Sequence, residues 1–221
     1  RGADLELGRD ADTGGQTKYV VELARALGKH PSVSRVDLVT RRIDDLAVSD
    51  DYAKPVERLG PNAALVRVPA GGDEYMRKEA LWPHLDELVA NAARYFEEGP
   101  GVPDVVHGHY ADAGYVAQLL ARRWRRPMVF TGHSLGRNKQ RALRLSGMSR
   151  DDIEDQYQIG RRIQAEEEAL RAADLVVAST RQEVEKGYEL YEAAPSARFE
   201  VIPPGVDVDR FYPYYYDLDE T

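Results

Sequence analysis

PDVVHGHYADAGYVAQLLARRWRRPMVFTGH, residues 103–133, is the stretch that indicates the fold most directly. Its two ends, PDVVHGHY (103–110) and PMVFTGH (127–133), are short apolar runs that lead into polar residues, as buried strands do. Residues 112–123 between them are predicted to be helical. A strand, a helix and a second strand in this order form a βαβ unit, in which the two strands are parallel.

The same alternation continues towards both ends of the chain. Further helices are predicted at 16–28, 83–96, 151–172 and 181–191, and further strands at 35–40, 64–69, 174–180 and 199–205. Residues 43–62 are interpreted as a polar excursion with turns. We therefore expect an α/β fold with a Rossmann-like, doubly wound, mostly parallel sheet, and a ligand site beyond the carboxyl ends of its strands.

Both ends of the chain indicate part of a larger protein. The helix at 16–28 should follow a strand, but RGADLELGRD (1–10) is too polar to form one. We therefore expect a first buried strand before Arg1. Residues 1–207 are predicted to form one Rossmann-like domain, and 208–221 to begin the crossing to a second domain that the chain lacks.

Composition argues against several classes of protein. The formal net charge of −8 argues against general nucleic-acid binding. No apolar run approaches the ~18 residues of a membrane-spanning helix, so no membrane partner is expected. The absence of cysteine excludes disulfides and thiol chemistry and fits a reducing compartment, so a cytoplasmic location is expected.

The positive charge is concentrated in one part of this acidic chain. Between Asp112 and Asp151 there is no acidic residue, whereas nine residues are basic. These are Arg122, Arg123, Arg125, Arg126, Arg137, Lys139, Arg141, Arg144 and Arg150. For 122–126 we favour a solvated helix face; for 137–144 a solvated face and a local anionic ligand both remain open.

TGGQTK (13–18) places Gly14 and Gly15 directly before a predicted helix. Either the turn needs a positive φ, or something approaches the backbone closely. A helix start of this kind exposes N–H groups that suit a phosphate or diphosphate, and a plain tight turn is the alternative. The stretch matches neither the P-loop nor the dinucleotide-binding motif.

HGHYADAGY (107–115) begins within the end of one predicted strand of the βαβ unit, 103–110. His107 and His109 should share a strand face, but no third metal ligand stands at a recognisable spacing. The alternative is that one histidine packs in the core and the other ends the strand. Tyr110 and Asp112, past the strand, are better placed for a polar ligand.

FTGHSLGRNKQRALR (130–144) follows the other strand, and His133, Ser134, Arg137 and Lys139 are predicted to lie on a loop. A hydroxyl with a lysine and an arginine suits a phosphate monoester. Ser134 and His133 do not indicate a hydrolase, because adjacent side chains diverge and no nucleophile elbow surrounds the serine.

Three further cations are candidates for binding an anion. On the helix at 151–172, Arg162 and Glu166 form an i, i+4 pair, whereas Arg161 is followed at that spacing by Ala165. Arg161 is therefore the freer of the two arginines to face a ligand. Lys78, before the helix at 83–96, is another candidate.

Six segments, in this order, resemble sucrose-phosphate synthases, members of the retaining GT-B-type glycosyltransferases that also include sucrose synthase. They are LELGRDADTGGQTKYVVELARAL, HGHYADAG, TGHSLGRNK, RRIQAEE, ADLVVASTRQEV and VIPPGVD, from Leu5 to Asp207. GHSLGRNK favours the phosphate synthases over sucrose synthase. A mannosyl-transferring relative that also uses fructose 6-phosphate remains open.

The resemblance implies transfer of glucose from UDP-glucose to fructose 6-phosphate with retention, giving sucrose 6-phosphate, without a metal or other cofactor. It implies that Gly14 and Gly15 touch the donor, that His133 is a catalytic residue contacting the donor glucose, and that Gln16 touches the acceptor. It also implies a fructose 6-phosphate site whose members are Lys78, Tyr110, Ser134, Lys139 and one of Arg161 and Arg162.

The resemblance further implies that this chain is the N-terminal, acceptor-binding half of a GT-B fold, with the donor domain as its missing partner. We expect the chain alone to be inactive. Two alternatives remain: a non-catalytic phosphosugar-binding domain, and a related mannosyl- or glucosyltransferase with fructose 6-phosphate or fructose as acceptor.

Overall fold

The computed structural model describes residues 15–206, so the predictions for Gly14, for the segment before Arg1 and for 208–221 lie outside the described residues. The strands are β1 (Val36–Arg41), β2 (Val56–Gly60), β3 (Ala63–Val68), β4 (Val106–His109), β5 (Met128–Thr131), β6 (Leu175–Ala178) and β7 (Phe199–Val201). The helices are α1 (Gly15–Lys29), α2 (Leu85–Glu98), α3 (Ala111–Trp124), α4 (Gly136–Leu145), α5 (Arg150–Tyr157), α6 (Ile159–Ala172) and α7 (Arg181–Lys186).

The α/β fold with a mostly parallel sheet is confirmed. Four strands form a parallel sheet in the order β4-β5-β6-β7. A second sheet has the order β1-β3-β2, in which β1 and β3 are parallel and β2 is antiparallel to β3. Within residues 15–206 these two sheets are separate, and β1 and β4 are edge strands.

The segment 43–62 differs from its interpretation as a polar excursion, because it contains β2. This strand is the edge of its sheet, so Leu59 is buried whereas Val56 is half exposed. An edge strand with one covered face contains few apolar residues, and its sequence therefore carries a weak strand signal.

Two predicted boundaries near the carboxyl edge are also wrong. The segment predicted as one helix at 151–172 is two helices, because Gln158 takes the left-handed conformation with φ of 42° between α5 and α6. The segment 130–144 is not a loop beyond Leu135, because α4 begins at Gly136 and contains Arg137 and Lys139.

The core lies between β4–β6 and the helices α3 and α6. Phe130 and Val176 are fully buried in it, and Leu170 of α6 packs with them. Gly108 allows α3 to approach β4 closely, because a Cβ at this position would lie 2.9 Å from the Cβ of Ala117. No helix in the part of the chain that the structure describes is long and apolar enough to span a membrane.

The carboxyl ends of β4 and β5 lie side by side, since His109 pairs with Thr131 in the parallel register. The backbone then turns sharply at both ends: φ is 79° at Tyr110 and 59° at His133. Positive φ in non-glycine residues is uncommon and is held only by surrounding structure. These two turns direct the polar segments after β4 and β5 to the same edge of the sheet.

Candidate functional site

Four of the predicted site residues, although far apart in sequence, line one small pocket at this edge. Lys78 comes from a short 3-10 helix (Lys78–His84), Tyr110 from the end of β4, Lys139 from α4 and Arg162 from α6. The other residues that line the pocket are Glu79, Trp82, Asp112 and Tyr157. The pocket therefore combines three cations with aromatic rings.

The cations of the pocket lie over aromatic faces. The guanidinium carbon of Arg162 is 4.5 Å from the centre of the Tyr110 ring, and the Nζ of Lys78 is 6.0 Å from the same ring. The Nζ of Lys139 is 3.7 Å from the centre of the Tyr157 ring. Cation–π attraction helps to hold these charges near the pocket.

Arg162, rather than Arg161, is the arginine that lines the pocket. Arg162 is only 4% exposed; its Nε donates to Glu166 Oε1 at 3.0 Å, and its Nη2 donates to the carbonyl of Ser134 and lies 3.4 Å from the Ser134 Oγ. Arg161 is exposed, and its guanidinium lies 5.5 Å from the Trp82 ring. The pairing with Glu166 thus holds Arg162 at the pocket instead of removing it, contrary to the sequence argument.

Glu166 is the buried centre of this arrangement. Its side chain is fully buried and accepts hydrogen bonds from Arg162, from the backbone N–H of Gly136 at 2.9 Å and from the hydroxyl of Tyr191. Burial raises the pKa of the Glu166 carboxyl, and the Arg162 guanidinium opposes that shift. Glu166 therefore fixes both Arg162 and the start of α4 at Gly136. Ser134 comes two residues before this point, and Lys139 three residues after it.

Asp112 adds a carboxyl group to the same pocket. Its Oδ1 accepts the backbone N–H of Ala113 at 2.8 Å. Burial raises the pKa of Asp112, while that hydrogen bond and the charges of Arg162 and Lys78 lower it. An anion entering the pocket therefore meets three cations and two acids, Asp112 and Glu79.

Sequence reasoning missed Trp82 and Tyr157. Trp82 lines the pocket from the 3-10 helix Lys78–His84, which also contains Pro83. Tyr157 ends α5 just before the break at Gln158, whose side chain donates to the Glu79 carbonyl at 2.9 Å. The break between α5 and α6 was the available signal for Tyr157, but its left-handed residue is a glutamine, and the nearest glycine, Gly160, follows two residues later.

Arg137 was predicted to lie on the same loop as Lys139, but its side chain does not line the pocket. Its Nη2 lies 3.0 Å from Glu167 Oε1, and its guanidinium lies 5.3 Å from the Tyr191 ring. On α3, Arg123 likewise pairs with Glu97 at 2.6 Å. The solvated-face interpretation thus suits 122–126, whereas Lys139 is the basic residue of 137–144 that lines the pocket.

A second group of side chains stands beside the pocket and contains His107, His109 and His133. The prediction that His107 and His109 share a strand face is confirmed, since their ring centres are 3.9 Å apart. His109 Nδ1 and His133 Nε2 are 3.0 Å apart, and Tyr19 of α1 meets both rings edge-on. Among residues 15–206 there is no group of three side chains placed to hold a metal ion.

All three histidines are neutral at neutral pH. Burial lowers the pKa of His107 and of His133 to about 4. Burial, together with the neighbouring imidazoles, lowers the pKa of His109 to about 2. Each ring therefore has one nitrogen that donates and one that accepts a hydrogen bond.

Gly15 begins α1 on the same side as these histidines. It does not take a positive φ, and a Cβ added there would meet nothing within 4 Å. Neither turn conformation nor contact with the described protein atoms accounts for this glycine, and close approach by a ligand stays a prediction. Gln16 is exposed in the first turn of α1, one turn before Tyr19.

The fold and the site together define a Rossmann-like domain with a pocket lined by three cations at the carboxyl edge of its sheet. Residues 13–210 match Glycosyltransferase Family 4, and the chain belongs to this family.

The predicted similarity to sucrose-phosphate synthases is confirmed. The chain is 41% identical over 268 residues to a probable sucrose-phosphate synthase 1 of Craterostigma plantagineum, covering 99% of this chain and 25% of the relative. It is 47% identical over 218 residues to a sucrose-phosphate synthase of Zea mays, covering 87% of this chain and 20% of the relative. The chain therefore spans about a quarter or less of the length of these curated relatives.

A solved sucrose-phosphate synthase from Thermosynechococcus elongatus has the same fold. The two superpose with a TM-score of 0.70 at 25% identity, over 91% of this chain and 45% of the solved one. The match supports the assignment of this chain to one Rossmann-like half of a GT-B fold.

Proposed function

We propose that this chain supplies the acceptor side of a retaining glycosyltransferase that transfers glucose from UDP-glucose to fructose 6-phosphate, giving sucrose 6-phosphate. The observation that carries the proposal is the pocket in which Lys78, Lys139 and Arg162 converge. Three cations around one cavity suit a phosphate monoester, and arginine adds directional hydrogen bonds. The names of the relatives supply the reaction class.

Each residue then has a role in the proposed reaction. Lys78, Lys139 and Arg162 bind the phosphate of fructose 6-phosphate, with the Ser134 hydroxyl beside Arg162. Tyr110 and Gln16 contact the acceptor sugar. His133, with Gly14 and Gly15, faces the donor, and its neutral imidazole can hydrogen-bond a sugar hydroxyl without placing a charge beside it.

The donor nucleotide binds to a second domain in this proposal. The greater length of the relatives supports that assignment. We expect the 221-residue chain alone to give little turnover, because half of the groups that stabilise the transition state are on the other domain. We also expect a reaction that needs no metal, so activity of the full-length enzyme should persist in EDTA, and a cytoplasmic location.

Calorimetric titration of the chain with fructose 6-phosphate tests the acceptor assignment. Lys139→Ala and Arg162→Ala should each weaken binding about tenfold or more, because each removes a charge-assisted contact to the phosphate. Arg161→Ala is the control for charge, since it removes the same charge one residue away and outside the pocket, and circular dichroism checks that Arg162→Ala, which leaves the buried Glu166 without its partner, is still folded. Fructose should bind much more weakly than fructose 6-phosphate.

Equal losses in Arg161→Ala and Arg162→Ala would contradict the proposed site and indicate attraction by general positive charge. Equal binding of fructose and fructose 6-phosphate would remove the phosphate from the recognised group. Tight binding together with inactivity of the full-length protein on UDP-glucose would favour a phosphosugar-binding role without catalysis.

A further inference from the structure

His107 and His109 lie on β4 and His133 lies two residues after β5, and the three rings form a connected group whose hydrogen bonds limit what His133 can do. The His109 and His133 rings are 5.2 Å apart and nearly parallel, at an angle of 29°. The His107 ring lies against the His109 ring, with the two ring centres 3.9 Å apart, and the Nε2 of His107 is 2.9 Å from the Thr131 hydroxyl. Tyr19 meets His133 edge-on at 5.2 Å.

The contact between His109 Nδ1 and His133 Nε2, at 3.0 Å, requires one proton between the two nitrogens. If His109 donates from Nδ1, then Nε2 of His133 accepts, and the remaining proton of His133 is on Nδ1. If His133 donates from Nε2, then Nδ1 of His109 accepts, and the proton of His109 is on Nε2. In a neutral pair the two rings therefore always share the same tautomer.

We propose that His109 is a positioning residue that occupies Nε2 of His133, so that His133 meets a ligand through Nδ1 and the two imidazoles change tautomer only together. Only the identity of the ligand, a donor sugar, rests on the proposed function. The pair itself rests on the distance, the stacking and the burial of both rings.

The positive φ of His133 limits the positions that its ring can take. A backbone angle of 59° fixes where the Cβ of His133 points, and Tyr19 and His109 limit the rotation of the ring. Without the hydrogen bond, the ring of His133 could turn about its χ2 angle and exchange the positions of its two nitrogens. His109 thus decides which nitrogen faces the space outside the sheet edge.

Nitrogen-15 NMR of the histidine side chains of the 221-residue chain tests this, because the five histidines can be assigned by single replacements. In the unliganded chain at pH 7, in EDTA, we expect His109 and His133 to be neutral and to show the same tautomer. Opposite tautomers, or a charged ring in the pair, would overturn the proposal.

Two variants separate the hydrogen bond from the ring. His109→Phe keeps an aromatic ring without the nitrogen, and should change the tautomer populations of His133. His109→Asn keeps a hydrogen-bonding group close to the position of Nδ1 without the ring, and should change the His133 signal less than His109→Phe does. A folded His109→Phe variant with an unaltered His133 signal would contradict the proposal, as would an equal change in folded His109→Phe and His109→Asn variants.

If His109→Phe fails to fold, the comparison of tautomers in the unmodified chain still decides the question. No sugar or nucleotide is present in these spectra. The NMR result is therefore independent of the calorimetry with fructose 6-phosphate. Failure of the proposed histidine pair is distinguishable from failure of the proposed acceptor site.

Discussion

Replacement of Glu166 by Gln tests whether this buried carboxylate holds the pocket together. The substitution keeps the size of the side chain and one acceptor oxygen, but removes the charge that faces Arg162. Glu166 is fully buried and Arg162 is 4% exposed, so water cannot replace the lost partner. The new amide NH₂ also replaces one of the two carboxylate oxygens that both accept the N–H of Gly136, so Gly136 keeps one acceptor of two.

The magnitude follows from the loss of one member of a buried ion pair, which costs about 3–5 kcal/mol. We use the lower end, about 3 kcal/mol, because Arg162 keeps its hydrogen bond to the Ser134 carbonyl. For a domain of this size each kcal/mol lowers Tm by about 2–4 °C, so a decrease of about 6–12 °C is expected. A loss of about 3 kcal/mol is a large share of the free energy of unfolding of a typical domain, which is about 5–15 kcal/mol.

The assay is urea unfolding followed by circular dichroism, with the free energy of unfolding compared between variants. Glu168→Gln is the control, because Glu168 is on the same helix and its carboxylate accepts hydrogen bonds from the neutral amides of Gln118 at 3.1 Å and Gln164 at 2.9 Å. The control should lose less than about 1 kcal/mol. An equal loss in Glu166→Gln and Glu168→Gln would refute the reasoning.

Three further outcomes are expected. Gly136→Ala should cost about 1–3 kcal/mol in urea unfolding, because its Cβ would lie 2.7 Å from the buried carboxylate of Glu166; a neutral effect would contradict the close packing of α4 on α6. Arg41→Met should lower the free energy of unfolding by about 2–4 kcal/mol in the same assay, because the buried Arg41 guanidinium donates to the carbonyls of Ala70, Gly72 and Glu74. An unchanged urea midpoint would show that the segment 70–74 does not depend on these hydrogen bonds. Acidification should destabilise the chain as the pH falls from about 6.5 towards 4, because the sheet-edge histidines have lowered pKa values and the unfolded chain therefore binds the protons first; unfolding curves that coincide at pH 6.5 and 4.5 would contradict it.

Much of this fold was predictable from the sequence, because a buried parallel strand is a short apolar run and a crossover helix repeats its apolar residues every three to four positions. The same principle located the pocket. Parallel strands end at one edge of the sheet, so polar residues after separate strands were expected to meet there. Tyr110 and Lys139, which follow β4 and β5, do lie at one pocket.

The missed elements are those whose signal depends on burial or on backbone conformation. β2 has one covered face and shows too few apolar residues to stand out. The break between α5 and α6 occurs at Gln158, a residue type that gives no warning of a left-handed conformation. Trp82 was missed because it belongs to a 3-10 helix, Lys78–His84, which lies largely before the predicted helix at 83–96 and was not itself predicted.

Arg162 shows why charge pairing along a helix is an incomplete guide to binding. The i, i+4 rule describes pairs on a solvated surface, where each charge satisfies the other. In the buried pair the carboxylate of Glu166 takes only the Nε edge of Arg162 and divides its remaining hydrogen bonds between Gly136 and Tyr191. The guanidinium is consequently held in place with its Nη2 directed at the Ser134 carbonyl, beside the rim of the pocket. A salt bridge that looked like a reason to exclude Arg162 is therefore the reason that a single orientation of this arginine lines the pocket.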